Sequence, residues 1–223
     1  MRIPLTFGAV AAVLAGALVT GPASAAPGDT VFALTGGNAI ISFAPATPGN
    51  ASAPMTITGL NSGETILGID FRPANNQLYA VGSSSQLYTI NTTTGAATKV
   101  GGPFSPSIDG MQIGFDFNPT VDRIRLVTDS GQNLRLHPDT GAVVFTDGSL
   151  TYKAGDTNAT APKAIAAAAY TNPDNDPATA TTLFDIDAAS ATLVRQDPPN
   201  DGTLNTVGAL GVTTSQEVAF DIG

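Results

Sequence analysis

From Thr30 onward the chain is a succession of short apolar-alternating runs separated by turn residues. Residues 31–34, 39–43 and 55–58 read as three strands, with turns at Gly36-Gly37-Asn38 and around Pro48-Gly49-Asn50. Residues 66–71, 77–81, 86–90 and 96–100 read as four more. Residues 113–117, 123–127, 133–136 and 142–145 repeat that set. Residues 151–162 read as a polar loop. A looser unit follows, with strands at 164–170, 181–186, 191–195 and 205–207. The alanine-rich start of that unit has helical propensity. Six residues make a marginal helix, however, and the repeat requires a strand there. Within the first four-strand set, alternation predicts Leu78, Ala80, Leu87 and Thr89 on one face and Tyr79, Val81, Tyr88 and Ile90 on the other.

The two middle units align without a gap at a constant offset of 46 residues. Gly68 falls on Gly114, Asp70 on Asp116, Phe71 on Phe117, Pro73 on Pro119, Gln86 on Gln132 and Gly95 on Gly141. A fixed period of this length, built from short strands, is the signature of propeller blades. Near the end of the sequence, Glu217-Val218-Ala219-Phe220-Asp221-Ile222 matches the first strand of both repeats. The N-terminal unit lacks such a strand. The expected fold is therefore all-β: a β-propeller-like domain over residues 26–223, four blades closed by the C-terminal strand.

Residues 1–25 read as a signal peptide. Arg2 is followed by an apolar run over residues 5–19 and the small-residue site Ala23-Ser24-Ala25, so cleavage is expected near Ala25. The run is too short to span a bilayer, and Gly21-Pro22 breaks it. The expected location is secreted or extracytoplasmic. The formal net charge is −9, with 18 acidic against 9 basic residues. That balance argues against nucleic acid and anionic membranes as partners. The chain has no cysteine, which excludes disulfides and thiolate metal sites.

The stretches GETILGIDFRPANNQLYAVGS, GFDFNPTVDRIRLVTDSGQNLRLHPDTGAV and QDPPNDGTLNTVGALG resemble a bacterial family catalogued as a domain of unknown function, DUF family 4394. The resemblance covers nearly all of the chain after residue 25. It implies a secreted β-propeller-like domain and brings no activity or catalytic residue with it.

Chemistry is sparse. Asp70, Asp116 and Asp221 fall at one place on the innermost strand of three blades, so their carboxylates are candidates to converge and hold a hard cation such as Ca²⁺. The competing reading is that each binds the backbone of its own strand end or turn. The fourth unit places Ala168 or Ala169 there. Asn172-Pro173-Asp174-Asn175-Asp176 spaces oxygen side chains like the start of a calcium loop but lacks its glycine and distal Glu. Asp185 and Asp187 read as strand-end residues. His137, the single histidine, stands in the place of Asn91 with no nucleophile motif for it to serve. Glu64 and Glu217 are the only glutamates. Arg123, Arg125 and Arg135 cluster in the third unit, with Asp122, Asp129 and Asp139 as the expected partners.

Three functions remain open. The first is a non-catalytic, monomeric module binding a protein, glycan or surface ligand, without cofactor or catalytic residues. The second is a calcium-assisted hydrolase or lactonase using channel carboxylates. The third is a structural extracellular protein.

Overall fold

In the computed structural model, residues 30–174, 176–214 and 218–222 are described. The leader read over residues 1–25 lies outside them, as do Asn175 and Glu217. No helix among the described residues is long and apolar enough to cross a membrane.

Among the described residues, sixteen strands form four sheets in a β-propeller-like arrangement. The first holds β1 (Val31–Thr35), β2 (Ala39–Phe43) and β3 (Met55–Thr56). The second holds β4 (Ile66–Arg72), β5 (Gln77–Gly82), β6 (Leu87–Ile90) and β7 (Ala97–Val100) in chain order. The third repeats it with β8 (Ile113–Asn118), β9 (Arg123–Thr128), β10 (Asn133–Leu136) and β11 (Val143–Thr146). After β12 (Thr151–Tyr152), the fourth holds β13 (Ile165–Tyr170), β14 (Leu183–Asp187), β15 (Thr192–Gln196) and β16 (Thr203–Ala209). The alanine-rich segment is thus a strand. The polar loop hides one surprise: β12 pairs parallel with β16, adding a fifth strand to that sheet.

Strand register corrects the expected alternation. Leu78 pairs with Ile90, Ala80 with Tyr88 and Val81 with Leu87. Leu78, Ala80, Tyr88 and Ile90 therefore share one face, packed with Ile40, Ile57 and Ile66 toward the first sheet. Tyr79, Val81 and Leu87 face the third sheet with Phe115, Phe117, Ile124 and Leu126. The turn after Gly82 sets which residues pair, so alternation within each strand cannot relate one strand to the next. A third cluster, with Val127, Ile165, Tyr170, Leu183 and Val194, fills the seam between the third and fourth sheets.

The inner strands β4, β8 and β13 stand side by side and touch. A Cβ built on Gly68 would lie 2.8 Å from Phe115 Cβ, and one on Gly114 only 2.5 Å from Ala168 Cβ. The repeated glycine is the place where each blade admits the next. Residues 218–222 carry no regular strand and form no ladder with β1 among the described residues. The tail nonetheless reaches the axis, where Asp221 meets the inner strands.

Candidate metal centre at the blade axis

Asp70 sits on β4 and Asp116 on β8, at equal places two residues after the close-contact glycines. Carboxylate oxygens of Asp70, Asp116 and Asp221 lie within 4.8 Å of one another. The three residues aligned by the sequence repeat are therefore brought together, from strands far apart in the chain. Asp116 is 5 % exposed, Asp70 half-buried and Asp221 exposed, so the cluster opens on the tail side.

The same carboxylates also hold backbone. Asp70 Oδ2 accepts the Phe117 N–H at 2.7 Å, and its Oδ1 accepts the Phe71 N–H at 2.7 Å. Asp116 Oδ2 accepts the Tyr170 N–H at 2.7 Å. The Phe117 and Tyr170 bonds reach across to the inner strand of the next sheet, whereas the Phe71 bond stays within β4. Tyr170 in the fourth sheet occupies the place of Phe117 in the third, so Ala169 is the fourth-sheet counterpart of the aspartates. Asp221 Oδ1 accepts the N–H of Ile222, as Asp70 does with Phe71.

Burial and mutual repulsion shape the charge here. Burial, then the Asp221 charge, pushes the Asp70 carboxyl up to about 7, against the pull of the two N–H bonds. Burial and then the Asp70 charge push Asp116 well above the ordinary carboxylate range. Three close carboxylates can resolve this by holding a proton or a cation.

The other candidates resolve into local structure. Asp174 Oδ1 accepts the Asp176 N–H and Asp176 Oδ1 the Ala178 N–H, an ordinary pair of Asx turns. His137 Nδ1 accepts the Asp139 N–H as Asn91 Oδ1 accepts the Thr93 N–H, so it mimics the asparagine it replaces. The arginine cluster chooses different partners from those expected. Asp122 and Asp139 bind Arg72 of the second sheet, while Asp129 Oδ1 accepts the Met111 N–H. Arg125 and Arg135 both pair with Asp147. Arg125 is buried and also meets Tyr170, Asn133 and Asn200, and Arg135 lies over the Phe145 ring at 4.0 Å. Asp187 is the strand-end residue expected, accepting from Tyr152, Ala164, Ala189 and Ser190. Asp185 is not: it sits mid-strand, wholly buried, with neither oxygen bonded.

Sequence reading passed over Glu64 as a structural anchor. It is buried, and Ser83, Ser84, Tyr88 and Asn61 all donate to it. Burial raises its pKa, but the donors, led by Ser84, outweigh that and hold it below the ordinary value. The run Ser83-Ser84-Ser85, rich in short donors, was the only signal in the sequence. Sequence reading also missed a cleft of about 480 Å³ on the second sheet, lined by Asn75, Asn76, Gln77, Asn91, Thr92 and Thr93 over Leu78 and Ile90.

A family model for a domain of unknown function (DUF4394) matches residues 39–223. The chain belongs to that family. A search of curated proteins returns no match. Among solved structures, the DUF4394 chain is similar to a structural-genomics protein of unknown function from Bacteroides thetaiotaomicron. The TM-score is 0.53 at 14% identity, covering 82% of this chain and 45% of that one. At that identity the likeness speaks for the fold alone, and the DUF4394 chain spans less than half of that protein's length.

Proposed function

We propose that this DUF4394 domain is an exported, monomeric, non-catalytic recognition module whose cleft on the second sheet takes a neutral, hydroxyl-rich ligand such as a glycan. The cleft's lining carries the reading. Asn75, Asn76, Gln77, Asn91, Thr92 and Thr93 line it and no lining residue is charged. Asn75 Oδ1 already accepts the Gln77 N–H and Asn91 Oδ1 the Thr93 and Thr94 N–H groups, which leaves their amide nitrogens as donors. Amides and hydroxyls offer both donors and acceptors, which matches sugar hydroxyls, whereas a charged ligand would find no counter-ion. Thr92 also lines a second, smaller hollow of about 240 Å³, where the half-buried Phe32, Ile41 and Met55 supply apolar surface for a sugar face. Titration calorimetry of the mature domain against a polysaccharide panel tests the reading. Binding should occur, and Gln77→Ala and Thr92→Ala should weaken it at unchanged Tm. Binding that ignores both variants, or none across the panel, removes it.

Export rests on the leader pattern over residues 1–25. Mass spectrometry of protein from the culture medium should find a chain starting at Ala26.

The axial cluster favours a second reading, in which Asp70, Asp116 and Asp221 hold Ca²⁺ and tie the tail to the ring, with or without hydrolytic chemistry. A calcium-dependent rise in Tm that vanishes in Asp116→Asn is the expected result. An unchanged Tm across a metal titration ends it. Direct contact between inner strands at Gly114 and Ala168 leaves little room there for a substrate, which favours a structural role for such an ion.

A further inference from the structure

The seam between the third and fourth sheets holds two side chains, with three acceptor oxygens between them, that find no partner among the described residues. Asp185 is 0 % exposed and Gln196 1 %, and among the described residues neither Asp185 oxygen nor Gln196 Oε1 has a hydrogen-bond partner. Such groups are costly when buried, so two on one seam require an explanation. Asp185 pairs with Val194 and Leu183 with Gln196, which puts Asp185 and Gln196 on one face as diagonal neighbours. Leu183 and Val194 on that face belong to the apolar cluster shared with Val127 of the third sheet. The Gln196 amide is anchored by its other end, since Nε2 donates to Pro199 O at 2.6 Å. Asn133 donates to the same carbonyl and accepts from Arg125. Gln196 is therefore held with its acceptor oxygen free.

We propose that Asp185 is carried as a neutral acid whose O–H donates to Gln196 Oε1, making this seam a pH-sensitive joint between the third and fourth blades. One proton gives each side chain a partner: it turns one Asp185 oxygen into a donor for Gln196 Oε1 and removes a buried charge, leaving a single uncharged carboxyl oxygen without a partner. Ionisation restores two acceptors with nothing between them.

The charged and titratable groups on the packed elements do not supply an alternative partner. Arg125 of β9 is committed to Asp147, Asn133, Asn200 and Tyr170. Asp147 also serves Arg135. Arg123 on β9 donates to the backbone of Asp122, Asp116 of β8 accepts from Tyr170, and Tyr152 of β12 donates to Asp187. On the sheet itself, Arg195 pairs with Asp197. Burial raises the Asp185 carboxyl to about 8, and the Arg125 charge pulls the other way without offsetting it. A folded value above the unfolded one, 3.8, means the native state binds the extra proton. Stability from this group is therefore greatest below about 4, falls as pH rises toward 8, and is level beyond.

Carboxyl-carbon NMR of the whole mature chain tests the state directly. Asp185 should titrate several pH units above the solvated aspartates, and Gln196→Leu should shift that titration. In thermal denaturation across the same pH range, Asp185→Asn should flatten part of the decline, because its amide donates to Gln196 at every pH. An Asp185 signal already ionised at pH 6 overturns the proposal. So does a midpoint that Gln196→Leu leaves unmoved, which would point to a bridging water instead. The NMR readout stands even if Asp185→Asn fails to fold.

Discussion

At the scale of single residues, each inner-strand aspartate has two duties. Asp116 fixes the Tyr170 N–H across the blade boundary and, with Asp70 and Asp221, makes a patch of crowded negative charge. Asp116→Ala would orphan a buried N–H and should cost about 1–3 kcal/mol in chemical denaturation. Removing the Asp221 charge with Asp221→Asn should lower the Asp70 titration midpoint from its value of about 7, read by carboxyl NMR. The linkage follows from the sign of that shift. Asp70 has a raised folded pKa, so its contribution fades as pH climbs from about 4 to about 7. Glu64 is the opposite case: its lowered pKa gives stability that is present above the ordinary value of 4.5 and is lost on acidification.

At the scale of elements, blades are joined by close backbone approach and by ion pairs that cross or brace the boundary. Gly114→Ala places a methyl against Ala168 backbone and side chain, 2.6 Å from its N and 2.5 Å from its Cβ. Overpacking of this kind costs about 1–3 kcal/mol, and the two strands cannot both stay put, so a lowered denaturation midpoint is expected. Arg125→Ala leaves Asp147 buried with only Arg135, and strips Asn133 and Asn200 of their donor. Breaking a buried pair typically costs about 3–5 kcal/mol, so this variant should be more damaging than loss of the exposed Arg195–Asp197 pair. Arg72 does similar work one blade earlier, gripping Asp122 and Asp139 from β4.

At the scale of the whole molecule, the four sheets are not equal. β9 and β10 are almost wholly buried, whereas the first sheet has three short strands with mostly half-exposed residues. Hydrogen exchange should therefore be slow in β9 and β10, as in the equally buried β5, β6 and β13, and fastest in β1 to β3. Equal protection across all four sheets would contradict this ranking. The tail meets the axis through Asp221 without a regular strand, so calcium, if bound, should slow exchange at Ile222 as well as raise Tm.

How much of this was legible before the fold was seen depended on which signals are local. Strand positions, the 46-residue repeat and the equivalence of Asp70, Asp116 and Asp221 are all written in spacing and turn chemistry, because Gly, Pro and Asn dictate backbone angles wherever they stand. The facing of Leu87 and Tyr88, the choice of Asp147 by Arg125 and Arg135, and the β12–β16 pairing were not. Each depends on register or on two segments distant in the chain meeting, and neither leaves a mark in the neighbouring residues. Asp185 shows the division most clearly. That it belongs to a strand could be read from the sequence; its mid-strand position, and its lack of a partner among the described residues, follow only from the strand's pairing and from how the third and fourth sheets close over it.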